Sequence, residues 1–115
     1  MMRSSCRVIF ALYALLMIYL SLMPTVTAVG VTHADKVGHL LAYAIFTLLA
    51  LFAAENRRQF FQCCLFIVAF GLVMECLQSM IPGRMMSFWD FVANSLGVVL
   101  ALIISLWLPK PFEAD

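Results

Sequence analysis

Read from the N-terminus, the chain alternates between long apolar runs and short polar breaks. Val8 to Met23 ("VIFALYALLMIYLSLM") is the first run, Val37 to Ala54 the second, Phe60 to Ile81 the third and Phe88 to Leu108 the fourth. Pro24, "ENRRQ" at 55–59, "PGR" at 82–84 and "PKP" at 109–111 separate or end them. These are the residue types that stop helices and make turns. A bilayer core of about 30 Å takes roughly 20 apolar residues in helical form, so each run is long enough, or nearly so, to cross it. The first is slightly short, but Arg7 beside it can lay its stem on apolar surface and keep its charge in water. Connections this tight favour antiparallel neighbours. The pattern therefore predicts an all-α polytopic membrane bundle of four transmembrane helices, at about 8–23, 37–54, 60–81 and 88–108, in one domain over residues 1–115.

The first run has a second reading. Arg3 and Arg7, an apolar stretch and then "TVTA" ending at Ala28 follow the layout of a secretory signal. Val8 to Met23 exceeds the usual signal core of about 7 to 15 residues, so we read it as a retained span, with cleavage as the alternative.

Composition supports the membrane reading. The chain has 115 residues, of which 65% are apolar and 11% charged, against roughly 25% charged in ordinary soluble domains. Mean hydropathy is +1.05. A net charge of +1 offers no basic face or stripe, so no nucleic-acid partner is expected. Cys6, Cys63, Cys64 and Cys76 form no CxxC or zinc spacing and read as small apolar fillers. No Gly-rich phosphate loop, GxSxG or internal repeat is present.

Charge also orients the bundle. With four spans, the N-terminus, the 55–59 loop and the C-terminus share a side, which carries Arg3, Arg7, Arg57, Arg58 and Lys110. The opposite side has Lys36 and Arg84 alone. Short cytoplasmic loops are the ones enriched in Lys and Arg, so both termini are expected in the cytoplasm.

This topology gathers the costly side chains. Asp35, Lys36 and His39 open the second helix, Glu75 and Gln78 come near the end of the third, Arg84 lies in the following loop, and Asp90 and Asn94 open the fourth. All of them fall at the outer face. Helical spacing places Asp35, His39, Tyr43 and Phe46 on one stripe, Gly71, Glu75 and Gln78 on a second, and Asp90, Asn94, Gly97 and Ala101 on a third. A charge at mid-membrane costs on the order of 2.5 to 3.5 kcal/mol, so Glu75, about 9 Å inward from Ile81, should face the bundle interior or a wet cavity and find a partner, for which Lys36, His39 and Arg84 are the available donors.

Plainer roles compete for several of these residues. "THAD" (Thr32 to Asp35) and "SFWD" (Ser87 to Asp90) match the capping box, which gives Asp35 and Asp90 a structural role. Trp89 and Tyr43 suit an interfacial aromatic belt. His39 reads more readily as an interfacial histidine than as a ligand. A metal site from His39, Glu75 and Asp90 lacks any HxxxH-type spacing, so no metal and no cofactor is expected. Glu75 alone has no capping explanation, and a structural pairing with Arg84 competes evenly with a ligand-facing role.

The order "DKVGHLLAY" followed by "ECLQSMIPGRMMSFWDFVANSLG" resembles the VanZ-like membrane family. The matching positions are Asp35, Lys36, His39, Glu75, Gln78, Arg84, Asp90, Asn94 and Gly97, within roughly residues 33 to 100. The resemblance implies an envelope membrane protein, in a family whose founding member is linked to resistance to the glycopeptide teicoplanin.

These features suggest an outward-facing pocket for an anionic or sugar-bearing envelope ligand, such as a lipid head group, a lipid-linked precursor or a glycopeptide. Asp35, Lys36, His39, Tyr43, Glu75, Gln78, Arg84, Asp90 and Asn94 would line it. Membrane lipids, and beyond them an envelope precursor or other membrane proteins, are the expected partners. No catalytic residue is assigned, because no nucleophile motif accompanies His39 and Glu75. An intramembrane enzyme on a lipid-linked substrate and a structural assembly partner are the alternatives. The topology predicts that single cysteines placed at 36 and 84 in a cysteine-free background react with an impermeant thiol reagent on intact cells. Protection of both, or labelling of one alone, contradicts it.

Overall fold

A computed structural model of the chain describes residues 2–22, 32–81 and 88–109, with side chains described over 3–22, 36–81 and 88–109. The helices are α1 (Met2–Leu22), α2 (Thr32–Ala53), α3 (Arg57–Gln78) and α4 (Phe88–Ser105). No strand occurs among the described residues. All four helices are long and apolar enough to cross a membrane. Their 18 to 22 residues correspond to about 27 to 33 Å at 1.5 Å per residue, close to the thickness of the hydrocarbon layer.

The helices do not coincide with the apolar runs. α1 begins at Met2 and α2 at Thr32, earlier than the first apolar residues, because nothing in "MRSSCR" or "THADK" breaks a helix. α3 lies three residues earlier than its apolar run at both ends. Its start is set by Asn56, whose extended backbone and side chain cap the helix by accepting the Gln59 backbone N–H at 2.8 Å. Its end is set at Ser79, whose N–H turns back to the Glu75 carbonyl at 3.2 Å. Thr32 lies inside α2, and the Asp35 side chain and Ser87 lie outside the described residues, as does the capping expected of them.

α2 is the central helix. It packs on the other three, most extensively on α4, whereas α1 and α4 do not adjoin. The α2–α4 contact is backbone against backbone. A Cβ built on Gly97 would collide with the Leu40 carbonyl oxygen and stand 3.1 Å from the Ala44 nitrogen. Small residues allow this approach, and Ala93 and Ala101 on the same side of α4 are buried as well.

The apolar core centres on Phe46, which is fully buried. Its ring lies 5.0 Å from that of Phe10, 5.3 Å from Tyr13 and 5.4 Å from Phe70, so one side chain of α2 is contacted from α1 and α3. The Tyr13 hydroxyl donates to the Ala42 carbonyl at 2.6 Å. The outward faces carry Val8, Leu12, Leu15, Leu65, Phe66, Ile103 and other large apolar side chains, as lipid contact requires.

At the end of the bundle holding the α1 N-terminus, Arg7 clasps the α2–α3 turn. Its Nε donates to the Ala53 carbonyl at 3.1 Å, and a terminal nitrogen meets the Glu55 carboxylate at 2.8 Å. The Arg7 hydrogen bond, with its charge, holds the Glu55 carboxyl below its ordinary pKa. The sign follows by linkage: the contribution is present above the unfolded carboxyl pKa and is lost as pH falls through the lowered folded value. Both partners are about half exposed, so screening keeps that contribution small.

Gly97 at the α2–α4 contact and Gly38 on the open face of α2 predict opposite outcomes. Gly97→Ala forces the α2 and α4 backbones apart and should cost about 1 to 3 kcal/mol. Gly38, also in α2, has open space where its Cβ would be, so Gly38→Ala should be neutral or stabilise by about 0.5 to 1 kcal/mol. Thermal unfolding in detergent compares the two; an unchanged Gly97→Ala melting temperature would contradict the close packing.

Candidate functional site

The up-down arrangement brings the N-terminal ends of α2 and α4 to the same end of the bundle as the C-terminal ends of α1 and α3. This end collects the polar side chains. His39, Glu75 and Asp90, one from each of three helices, each offer a ligand-type atom within 4.8 Å of the others. Lys36, one turn before His39, sends its ammonium to Asp90 Oδ1 at 3.3 Å. Asp90 occupies the first turn of α4, where the positive helix end favours a carboxylate.

Burial grades with depth. Lys36 is partly exposed, His39 and Asp90 are intermediate, and Glu75 retains 1% of its surface. Because α3 ends at Gln78, Glu75 stands about 4.5 Å from the helix end. That is half the depth expected from a helix running to Ile81. Proximity to the end lowers the cost of holding a carboxyl there, and Glu75 is not free.

Asn94 forms the floor. It follows Asp90 by one turn on the same face of α4 and retains 2% of its surface. Its amide flanks Gly71, which precedes Glu75 by one turn on α3. A Cβ at Gly71 would lie 3.4 Å from Asn94 Nδ2 and 3.2 Å from the Tyr43 ring. Asn94 Oδ1 is buried with no hydrogen-bond partner. An unmatched buried acceptor typically costs about 1 to 3 kcal/mol, so this oxygen is held at an expense that the bundle itself does not offset.

The other expected site residues divide. Tyr43 is buried among the helices at 2% exposure, which corrects its assignment to an interfacial belt; Trp89, exposed beside Phe88, keeps that position. Gln78 turns away from the cluster and donates from Nε2 to the Ser21 carbonyl at 3.0 Å, joining α3 to α1. Lys36 is paired with Asp90 in a long, partly solvated contact. Arg84 and the Asp35 side chain lie outside the described residues, so Arg84 as the partner of Glu75 does as well.

Buried Thr47 was not among the expected polar positions; it is satisfied locally, donating from Oγ1 to the Tyr43 carbonyl at 2.9 Å. Below Asn94 the interior is otherwise apolar, with Ile67, Phe46, Val98 and Ala101, until buried Ser105 near the far end of α4, whose Oγ donates to the Leu102 carbonyl.

Four membrane-length helices with a polar cluster confined to one end define a small polytopic membrane protein. Residues 10–109 match the family model VanZ/LLP1, and the chain belongs to that family. No match was found among curated proteins or among solved structures.

The unpartnered amide oxygen yields a stability test. Asn94→Leu removes it with little change in volume, so in ligand-free detergent the variant should melt at or above the wild-type temperature. Melting well below wild type would mean that the amide already has an internal partner.

Proposed function

We propose that the chain is a non-enzymatic binding protein of the bacterial inner membrane, with both termini cytoplasmic and the polar cluster beneath the outer leaflet. The ligand is the head group of an anionic or sugar-bearing envelope lipid. The observation that carries this reading is the buried Asn94 oxygen without a partner, one turn along α4 from Asp90 and its cluster with His39 and Glu75. A cluster serving only to lock the bundle has no need of an unmatched acceptor.

The chemistry of the group favours the sugar-bearing alternative. The carboxylates of Glu75 and Asp90 and the amide of Asn94 are acceptors for hydroxyl hydrogens. Lys36, at the rim, is the cation that can leave Asp90 for a phosphate, since the pair is long at 3.3 Å and partly solvated. The exposed apolar faces of α3 and α4 give the lipid tail a surface.

The test is thermal stability of the purified chain with a short-chain polyprenyl diphosphate sugar, phosphatidylglycerol or phosphatidylethanolamine. The polyprenyl diphosphate sugar should raise the melting temperature most. The shift should be lost in Asn94→Leu and reduced in Lys36→Ala. No shift with any of the three, or an equal shift in Asn94→Leu, refutes the reading.

A further inference from the structure

We propose that His39, Glu75 and Asp90 form a binding site for one divalent transition-metal ion of the Zn2+ or Mn2+ class. The sequence offers no metal-ligand spacing because the three ligands come from α2, α3 and α4 and meet only through packing. Their ligand atoms lie within 4.8 Å of one another. Zinc bonds to imidazole nitrogen and carboxylate oxygen are about 2.0 to 2.2 Å long. Ligand atoms around one ion therefore stand roughly 3 to 4 Å apart, and the triangle need close by roughly an ångström at its widest. Rotation of a carboxylate or imidazole supplies that without moving a helix.

A further observation points to an ion: Asn94, one turn below Asp90 on α4, has a buried Oδ1 with no hydrogen-bond partner. An amide oxygen accepts without a proton to give, which suits a metal-bound water or the ion itself.

Ligand type narrows the ion. One imidazole with carboxylate oxygens suits zinc or manganese, whereas calcium and magnesium favour all-oxygen shells. Three protein ligands also leave coordination positions open toward the rim.

Lys36 acts as a competitor in this scheme, occupying Asp90 when the ion is absent. The proposal concerns the same cluster as the lipid reading but does not need it, because the ion alone is the probe and the two can fail separately.

The full chain, purified in detergent, stripped with a chelator and desalted, is incubated with Zn2+ or Mn2+ alone. Elemental analysis after gel filtration should find one ion per chain, and the melting temperature should climb with ion concentration. Co2+ should give visible d–d bands without an intense thiolate band, which separates this site from Cys76. His39→Ala and Asp90→Asn should lose the stoichiometric ion. Asn94→Ala should weaken binding roughly tenfold, and Lys36→Met should tighten it.

A wild-type chain that retains no ion overturns the proposal. So does equal retention by His39→Ala and Asp90→Asn, or weaker binding by Lys36→Met. If a variant does not fold, the wild-type stoichiometry and the cobalt spectrum still decide.

Discussion

The near contact of the α2 and α4 backbones at Gly97 and Leu40 governs much of this molecule. In lipid, helices gain little from apolar burial against one another, and close packing and polar contacts do the work that water does elsewhere. Gly97 permits that closeness. One turn above it on α4 is Asn94 and two turns above is Asp90; Lys36 and His39 lie on the facing part of α2. The approach of the two backbones thus sets the distance across which Lys36 reaches Asp90. α3 then completes the group from a third side, with Gly71 giving room to Tyr43 and Asn94 and Glu75 standing one turn nearer the helix end.

The two ends of the bundle solve the problem of charge differently. At the Arg7 end the ionic groups are half exposed and bind a backbone carbonyl as well as each other. Little depends on them electrostatically. At the other end, Glu75 is almost wholly enclosed and its neighbours are half-buried. Charges there interact through a poorer screen, and removing one partner leaves the rest uncompensated. That contrast is why the second end, and not the first, is read as a site.

Much of the architecture was legible in the residue order. Four apolar runs of membrane length between Pro- and charge-bearing breaks specified the helices, and their antiparallel succession specified which polar residues share an end. The Asn56 cap, three residues before Gln59, was also visible in principle, since Asn is a preferred capping residue. Helix starts were less legible, because the backbone of α1 and α2 continues through polar residues without penalty where they reach the interface. The rotation of each helix about its axis was not legible either. It decides that Gln78 faces Ser21 while Glu75, three residues earlier, faces His39 and Asp90. His39, Glu75 and Asp90 could be named together from the residue order, but not their separation, because no spacing along the chain encodes a distance between three helices.

Besides the Arg7–Glu55 ion pair, three hydrogen bonds to main-chain carbonyls hold α1 at three heights: Ala53 from Arg7, Ala42 from Tyr13, and its own Ser21 from Gln78. A carbonyl is supplied by every amino acid. Outside the few donor side chains and the Phe10, Ala14 and Met17 contacts with the core, the first helix can exchange one greasy residue for another without losing its moorings, so evolutionary drift has a free hand along its lipid-facing side.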